Sequence, residues 1–134
     1  MMNRCLKMLI CLAFLATSFP AASQNAAALR RQAVGFAAKG DYASAAPLLS
    51  QSAELGYYVA QLEYAVLLDS SPAPVNDNIK AFAWYSVVIA RQGTDTDFAK
   101  ERLALVAKRL SQPDAEQANQ LASALIAKYG QSAK

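Results

Sequence analysis

The chain has 134 residues, of which 54% are hydrophobic and 17% charged, and its formal net charge is +3 at pH 7. This length is enough for one small domain. The chain contains no histidine, which removes the usual general base at neutral pH and a preferred zinc ligand. The small net charge gives no argument for nucleic acid as a partner, so we expect none.

The N-terminal segment 1–23 has the layout of a secretory signal peptide. Arg4 and Lys7 lie in its first part, the run 8–19 is almost entirely apolar, and small residues follow at 21–23. This order is typical of a cleaved signal. We therefore expect an exported protein, periplasmic or secreted, with no stable membrane insertion after cleavage. The alternative is an uncleaved membrane anchor, but the apolar run is short for a span, which needs roughly 20 residues.

Cleavage of this segment would change the chemistry of the remaining chain. The only two cysteines, Cys5 and Cys11, would be removed with it. No disulfide and no thiol nucleophile would then remain. Since two of the cations would also be lost, the rest of the chain is nearly neutral and must be stabilised by packing alone.

The stretch from Asn76 to Gly93 predicts a buried central helix. It contains the only tryptophan, Trp84, and no charged residue occurs between Lys80 and Arg91. Asp77 is a good N-cap type, and a glycine suits a helix C-terminus. A helix that is apolar nearly all round must be buried between neighbours, because it is too short to span a bilayer.

Five further segments place apolar residues at helical spacing. They cover approximately residues 25–39, 42–55, 59–68, 98–110 and 114–129. Gly40 and Gly56 follow two of these segments, and Asp41 and Ser111 are placed to cap the N-termini of two others. Because no convincing run alternates with period two, we expect an all-α domain over 24–130, followed by a disordered tail at 131–134.

Internal similarity gives the helices a more specific interpretation. Gly40-Asp41-Tyr42 followed by Ala53-Glu54-Leu55-Gly56 resembles the second helix of a Sel-1-like repeat, a relative of the tetratricopeptide repeat. The residues from Ala60 to Trp84-Tyr85 resemble a whole unit, and those from Glu101 to Ala122 look like a terminal helix pair. One departure is Ala65, which stands where these repeats usually have a glycine. The resemblance is to small exported bacterial members of the family.

The resemblance implies both a fold and a function. The fold is a compact short α-solenoid of about five to six helices in antiparallel helix-turn-helix repeats. The function is a non-catalytic protein–protein interaction module whose partner is another protein or peptide. In such repeats the first helix of each pair lines the concave face. The residues that this assigns to a binding surface are Val59, Leu62, Val66 and Asp69, with Tyr57 and Tyr58 as further aromatic anchors. The alternative is that the flanking helices cover these side chains.

The sequence offers little for catalysis. No phosphate-binding glycine loop or nucleophile elbow is present. Asp95 and Asp97 are too few for a metal cage and are better explained as helix caps. Glu63 is interpreted as a solvent-facing position. We therefore expect no catalytic residue, no metal and no cofactor; the alternatives are an envelope enzyme or enzyme inhibitor that uses a pocket in a helix groove, and a membrane-tethered factor.

Overall fold

The computed structural model describes residues 21–132, which form six α-helices and no β-strand. The helices are Ala21–Ala38 (α1), Tyr42–Glu54 (α2), Tyr58–Ser70 (α3), Asn78–Arg91 (α4), Thr96–Ala107 (α5) and Gln112–Tyr129 (α6). Short turns join them, and their helix-turn-helix packing is compact and consistent with a short helical solenoid. The predicted all-α fold class is therefore confirmed. None of the described helices is both long and apolar enough to cross a membrane.

Both predicted terminal segments lie largely outside the described residues. The sequence predicted the first helix from residue 25, but α1 already begins at Ala21, so the predicted cleavage after Ser23 falls inside its first turn. The predicted tail 131–134 is described only in its first half. There the Gln131 carbonyl accepts a hydrogen bond from an α4 side chain at 3.0 Å.

Local capping explains where several helices begin. The side chains of Asp41, Asp77 and Ser111 each accept a hydrogen bond from the backbone N–H three residues along, at 3.1, 3.0 and 3.3 Å. Each bond satisfies one of the N–H groups that an α-helix leaves without a partner at its N-terminus. Gly40 and Gly56 have φ angles of +76° and +85°, which reverse the chain after α1 and α2. These predicted caps and turns are confirmed.

The C-terminus of α4 is built differently from the prediction. Gln92, not Gly93, adopts the left-handed conformation there, with φ +53°. Gly93 is needed for another reason, because a Cβ at this position would collide with the ring of Tyr58. The next helix begins at Thr96, slightly before the predicted start, and Asp95 makes no side-chain capping bond to it. Asp95 thus occupies the predicted N-cap position without a side-chain capping bond, and Asp97 lies in the first turn of the helix.

The central position of α4 is confirmed by its packing. It contacts α3, α5 and α6, so three neighbours cover it on different sides. Trp84 is only 4% exposed. Its ring lies edge-on to Tyr64 at a centroid distance of 5.8 Å and stacks on Tyr129 at 5.5 Å. The indole of Trp84 thus connects α4 with α3 and α6 in the centre of the hydrophobic core.

Candidate binding surface

A cavity of about 440 Å³ lies between α1 and α3, with α2 beneath it. We call it the apolar groove, because most of its side chains are aliphatic or aromatic. It is lined by Val34, Ala37, Ala38, Tyr42, Leu49, Leu62, Glu63, Val66, Leu67, Ser70 and Ser71. Two of the predicted binding residues, Leu62 and Val66, thus lie together in one groove.

The groove is preformed by rigid elements. Leu49 and Leu67 are buried members of the hydrophobic core, whereas Leu62 and Val66 are half-buried against it. Val34 on the opposite wall is 42% exposed. A cavity of this size with mostly apolar lining is typical of sites that hold a ligand or a peptide side chain. The arrangement can bind apolar groups without any rearrangement of the helices.

The remaining predicted residues are placed apart from the groove. Val59 is exposed one turn earlier on α3. Tyr57 precedes α3 and is half-buried against the core. The Tyr58 hydroxyl accepts a hydrogen bond from the Asp95 N–H at 3.3 Å, and the Arg91 guanidinium lies 5.5 Å from its ring centroid. Burial raises the pKa of Tyr58 above its ordinary value. Tyr58 is thus engaged in contacts within the chain.

Asp69 lies in the interior, not on the predicted surface. Its side chain has no exposed area. The Tyr85 hydroxyl and Arg102 Nε donate to its Oδ2 at 2.9 and 2.8 Å, and Arg109 Nη1 donates to its Oδ1 at 2.7 Å. These partners on α4, on α5 and just beyond α5 turn the carboxylate inward. The prediction that Asp69 faces the concave surface is corrected on this point.

The contacts of Asp69 also determine its protonation. Burial alone would raise the pKa of this carboxyl, but hydrogen bonds from Arg102, Arg109 and Tyr85 outweigh burial and hold the pKa below its ordinary value. The same arrangement raises the pKa of Tyr85, first through burial and then through its bond to the carboxylate. Asp69 is therefore ionised at neutral pH, and its carboxylate connects α3 with α4 and α5 through hydrogen bonds.

Glu63 bridges the two walls of the groove. Its carboxylate accepts hydrogen bonds from Arg30 Nε at 2.8 Å and from Arg30 Nη2 at 2.6 Å. This paired arrangement differs from the predicted solvent-facing position. The bond to Glu63 raises the pKa of Arg30 above its ordinary value. Because both are partly exposed, the pair contributes only about 0–1 kcal/mol, so α1 is held mainly by its packing on α2.

A buried polar cluster that the sequence did not indicate holds α2, α3 and α4 together. Gln61 is fully buried, and its Nε2 donates to the Ala53 carbonyl at 3.1 Å. Arg91 Nη1 donates to Gln61 Oε1 at 2.7 Å and to the Gly56 carbonyl at 2.9 Å. Burial lowers the pKa of Arg91 below its ordinary value. The cluster stabilises the junction of α2, α3 and α4 near the start of α3.

The sequence also missed the contributions of α1 and α2 to the groove. The predicted binding residues all lie on α3 or directly before it, whereas Val34 comes from α1, and Tyr42 and Leu49 come from α2. A single exposed apolar residue is normal on a protein surface, so Val34 alone gave no signal of a groove that forms only where three helices meet.

The polar groups of the described residues are accounted for within the fold. Every buried side-chain nitrogen or oxygen in residues 21–132 has a hydrogen-bond partner. In the same range, no group of three or more histidine, cysteine, aspartate and glutamate side chains is arranged to hold a metal ion. The polar residues of the groove are Glu63, which is bound to Arg30, together with Ser70 and Ser71.

Comparisons of the chain with protein-family models, with curated proteins and with solved structures found no match. The resemblance to Sel-1-like repeats therefore stays a prediction from the sequence.

Proposed function

We propose that this protein is a non-catalytic binding module that receives an apolar segment of another protein in the apolar groove. The observation that carries the proposal is the groove itself, which has aliphatic walls, a buried core beneath it and an open side. Helical surfaces of this kind bind peptides by burying a few apolar anchors. Covering exposed apolar area is favourable by about 25 cal/mol per Å², which gives the groove a reason to be occupied.

The place of action follows from the N-terminal segment 1–23. Its basic start and short apolar run support export, so the partner would be met in the periplasm or outside the cell. The Sel-1-like resemblance supports a protein as the partner. Both statements are part of the proposal and rest on the sequence.

Affinity capture with a matched pair of variants tests this function. The groove variant is Val34→Glu, and the control is Ile126→Glu on α6, which is outside the groove. Their wild-type side chains are 42% and 36% exposed, so both substitutions are expected to leave the fold intact. The exported product of the full chain would be immobilised and incubated with envelope and secreted fractions. Thermal melts would establish that both variants are folded.

We expect the wild type and Ile126→Glu to retain a partner that Val34→Glu loses, because a carboxylate in the groove would be desolvated against apolar groups. A second groove variant, Val66→Glu, would lose the same partner. Equal capture by all folded versions would show that binding uses another surface, and recovery of no protein by any version would contradict the proposed function.

A further inference from the structure

The helices α3 and α5 run in the same direction. Tyr58 near the start of α3 contacts Asp95 just before α5, and Asp69 near the end of α3 contacts Arg102 and Arg109 further along the chain. Because both contacts advance together along the two segments, α3 and α5 run parallel. The apolar groove lies between α3 and α1.

Part of α5 borders this surface. Phe98, Arg102, Leu105 and Arg109 follow one another at intervals of four, three and four, which places them on one side of the helix and its extension. Since the two arginines reach Asp69 on α3, this side is turned towards α3. Phe98 and Leu105 are nevertheless exposed. They form a second apolar patch, which we call the α5 patch.

An excess of positive charge lies on the same side of α5 as the α5 patch, because Arg102 and Arg109 alternate there with Phe98 and Leu105. The two guanidiniums of Arg102 and Arg109 both bind one carboxylate, that of Asp69. One negative charge therefore faces two positive charges. Within residues 21–132, no other acidic side chain hydrogen-bonds to either arginine. Their side chains are still 27% and 41% exposed. Arg30 differs, because the carboxylate of Glu63 neutralises it.

The spacing of these features selects the kind of ligand. The apolar groove lies on the α1 side of α3 and the arginine pair on its α5 side. Leu62 in the groove and Asp69, which binds the arginines, are seven residues apart on α3, or about 10 Å along its axis at 1.5 Å per residue, so a ligand must cross roughly this distance. An extended peptide advances about 3.3 Å per residue and covers it in about three residues. Apolar contacts in the groove and in the α5 patch favour a chain with several side chains over a single fatty acid.

We propose that the partner segment is an acidic–apolar peptide in extended conformation. Its apolar anchor fills the groove, and an aspartate, a glutamate or a terminal carboxylate about three residues away binds Arg109 and Arg102. Guanidinium and carboxylate form strong, directional hydrogen bonds, which make this contact specific. The inference rests on the proposed function and adds the chemistry of the partner.

Selection from a display library of random dodecapeptides would test it, with the exported full-length product as bait. We expect the selected peptides to combine an apolar residue with an acid about three positions away. One selected peptide and its amide counterpart, with Asp→Asn or Glu→Gln, would then be titrated against the wild type. The amide peptide is expected to bind about tenfold more weakly, a difference that added salt reduces.

Variants of the protein would test whether the acidic residue of the peptide binds to the two arginines. Arg109→Gln is expected to abolish the tenfold preference for the acidic peptide, whereas Arg109→Lys keeps a large part of it. Lys108→Gln is a matched control, because it removes a neighbouring exposed cation and should leave the preference unchanged. Melts and circular dichroism would establish that every variant is folded. An undiminished preference in folded Arg109→Gln would overturn the inference.

The two proposals fail in different ways. Apolar peptides without enriched acids, bound equally by wild type and Arg109→Gln, would overturn the acidic partner and leave the binding module standing. Selection of no peptide by the folded protein would contradict both. If laurate bound the groove with the same dependence on Arg109 and no peptide was selected, the ligand would be a fatty acid and not a peptide.

Discussion

At the scale of single residues, Asp69 connects the fold with the proposed specificity. Its carboxylate holds Arg102 and Arg109 in place, yet it neutralises only one of them. Replacing one partner of a buried ion pair leaves the other charge uncompensated. The loss of stability is then larger than the net stabilisation that the intact pair provides. Asp69 therefore controls both the position of α5 and the charge that a peptide would meet.

Asp69→Asn is expected to lower the free energy of unfolding at pH 7 by about 3 kcal/mol. This value is at the low end of the range for breaking a buried ion pair, because the arginine side chains are partly exposed to water. The pKa of Asp69 is lower in the folded than in the unfolded chain. Its contribution is thus fully present above the unfolded pKa of about 4 and is lost as the pH falls through the folded pKa. Urea unfolding from pH 7 to pH 2.5 would measure the difference between wild type and variant.

That difference is expected to shrink as the pH falls below about 4. Glu101→Gln provides the control, because Glu101 is an exposed acid on the same helix as Arg102. Its effect should stay small over the whole range. A constant difference between wild type and Asp69→Asn down to pH 2.5 would contradict an ionised, arginine-bound Asp69 in the fold.

The sequence predicted residues whose partners are local and missed those whose partners are distant. Asp41, Asp77 and Ser111 bind the backbone three residues along, so their caps could be predicted from the sequence. Asp69 meets arginines 33 and 40 residues away. The resemblance to Sel-1-like repeats placed Asp69 on the binding surface, and its neighbours in the sequence do not indicate these partners.

At the scale of helices, α4 was the most predictable element because its sequence leaves no polar face. Burial on several sides is the only stable solution for such a helix in water, and α3, α5 and α6 supply it. The exact end of α4 was less predictable. Gly93 fits a local rule for helix termini, but its actual role depends on the ring of Tyr58, far away in the sequence.

Trp84→Ala is expected to destabilise the protein by about 3–5 kcal/mol, because it removes the ring that joins three helices and leaves a cavity. The control is Phe98→Ala, which removes an aromatic ring that is exposed on α5. It should cost far less. Denaturant unfolding followed by far-UV circular dichroism measures both. A Trp84→Ala variant as stable as the wild type would contradict the central packing of α4.

At the scale of the whole molecule, the number of helices could be predicted from the sequence more accurately than their packing. The last two helices were expected to form a terminal pair, but α6 packs chiefly against α4. Tyr129 on α6 stacks on Trp84, and this contact between distant segments left no local pattern in the sequence. The groove has the same origin, since Val34, Tyr42 and Leu62 come from three helices.

This arrangement predicts how the protein unfolds. Repeat proteins can unfold unit by unit when each unit contacts only its neighbours. In this chain, α4 is shared by the preceding helix and by both later helices, so neither half has a complete core without it. We therefore expect a single cooperative transition, as for other small domains.

Two probes can test this cooperativity in one urea titration. Fluorescence of Trp84, the only tryptophan, reports on the packing around α4, and far-UV circular dichroism reports on all helices. The two midpoints should coincide, both in wild type and in Asp69→Asn, where both shift to lower urea. If Asp69→Asn instead lost part of its helical signal before the tryptophan transition, α5 would unfold separately. The position of the two arginines would then depend on a helix that unfolds separately from the core around α4.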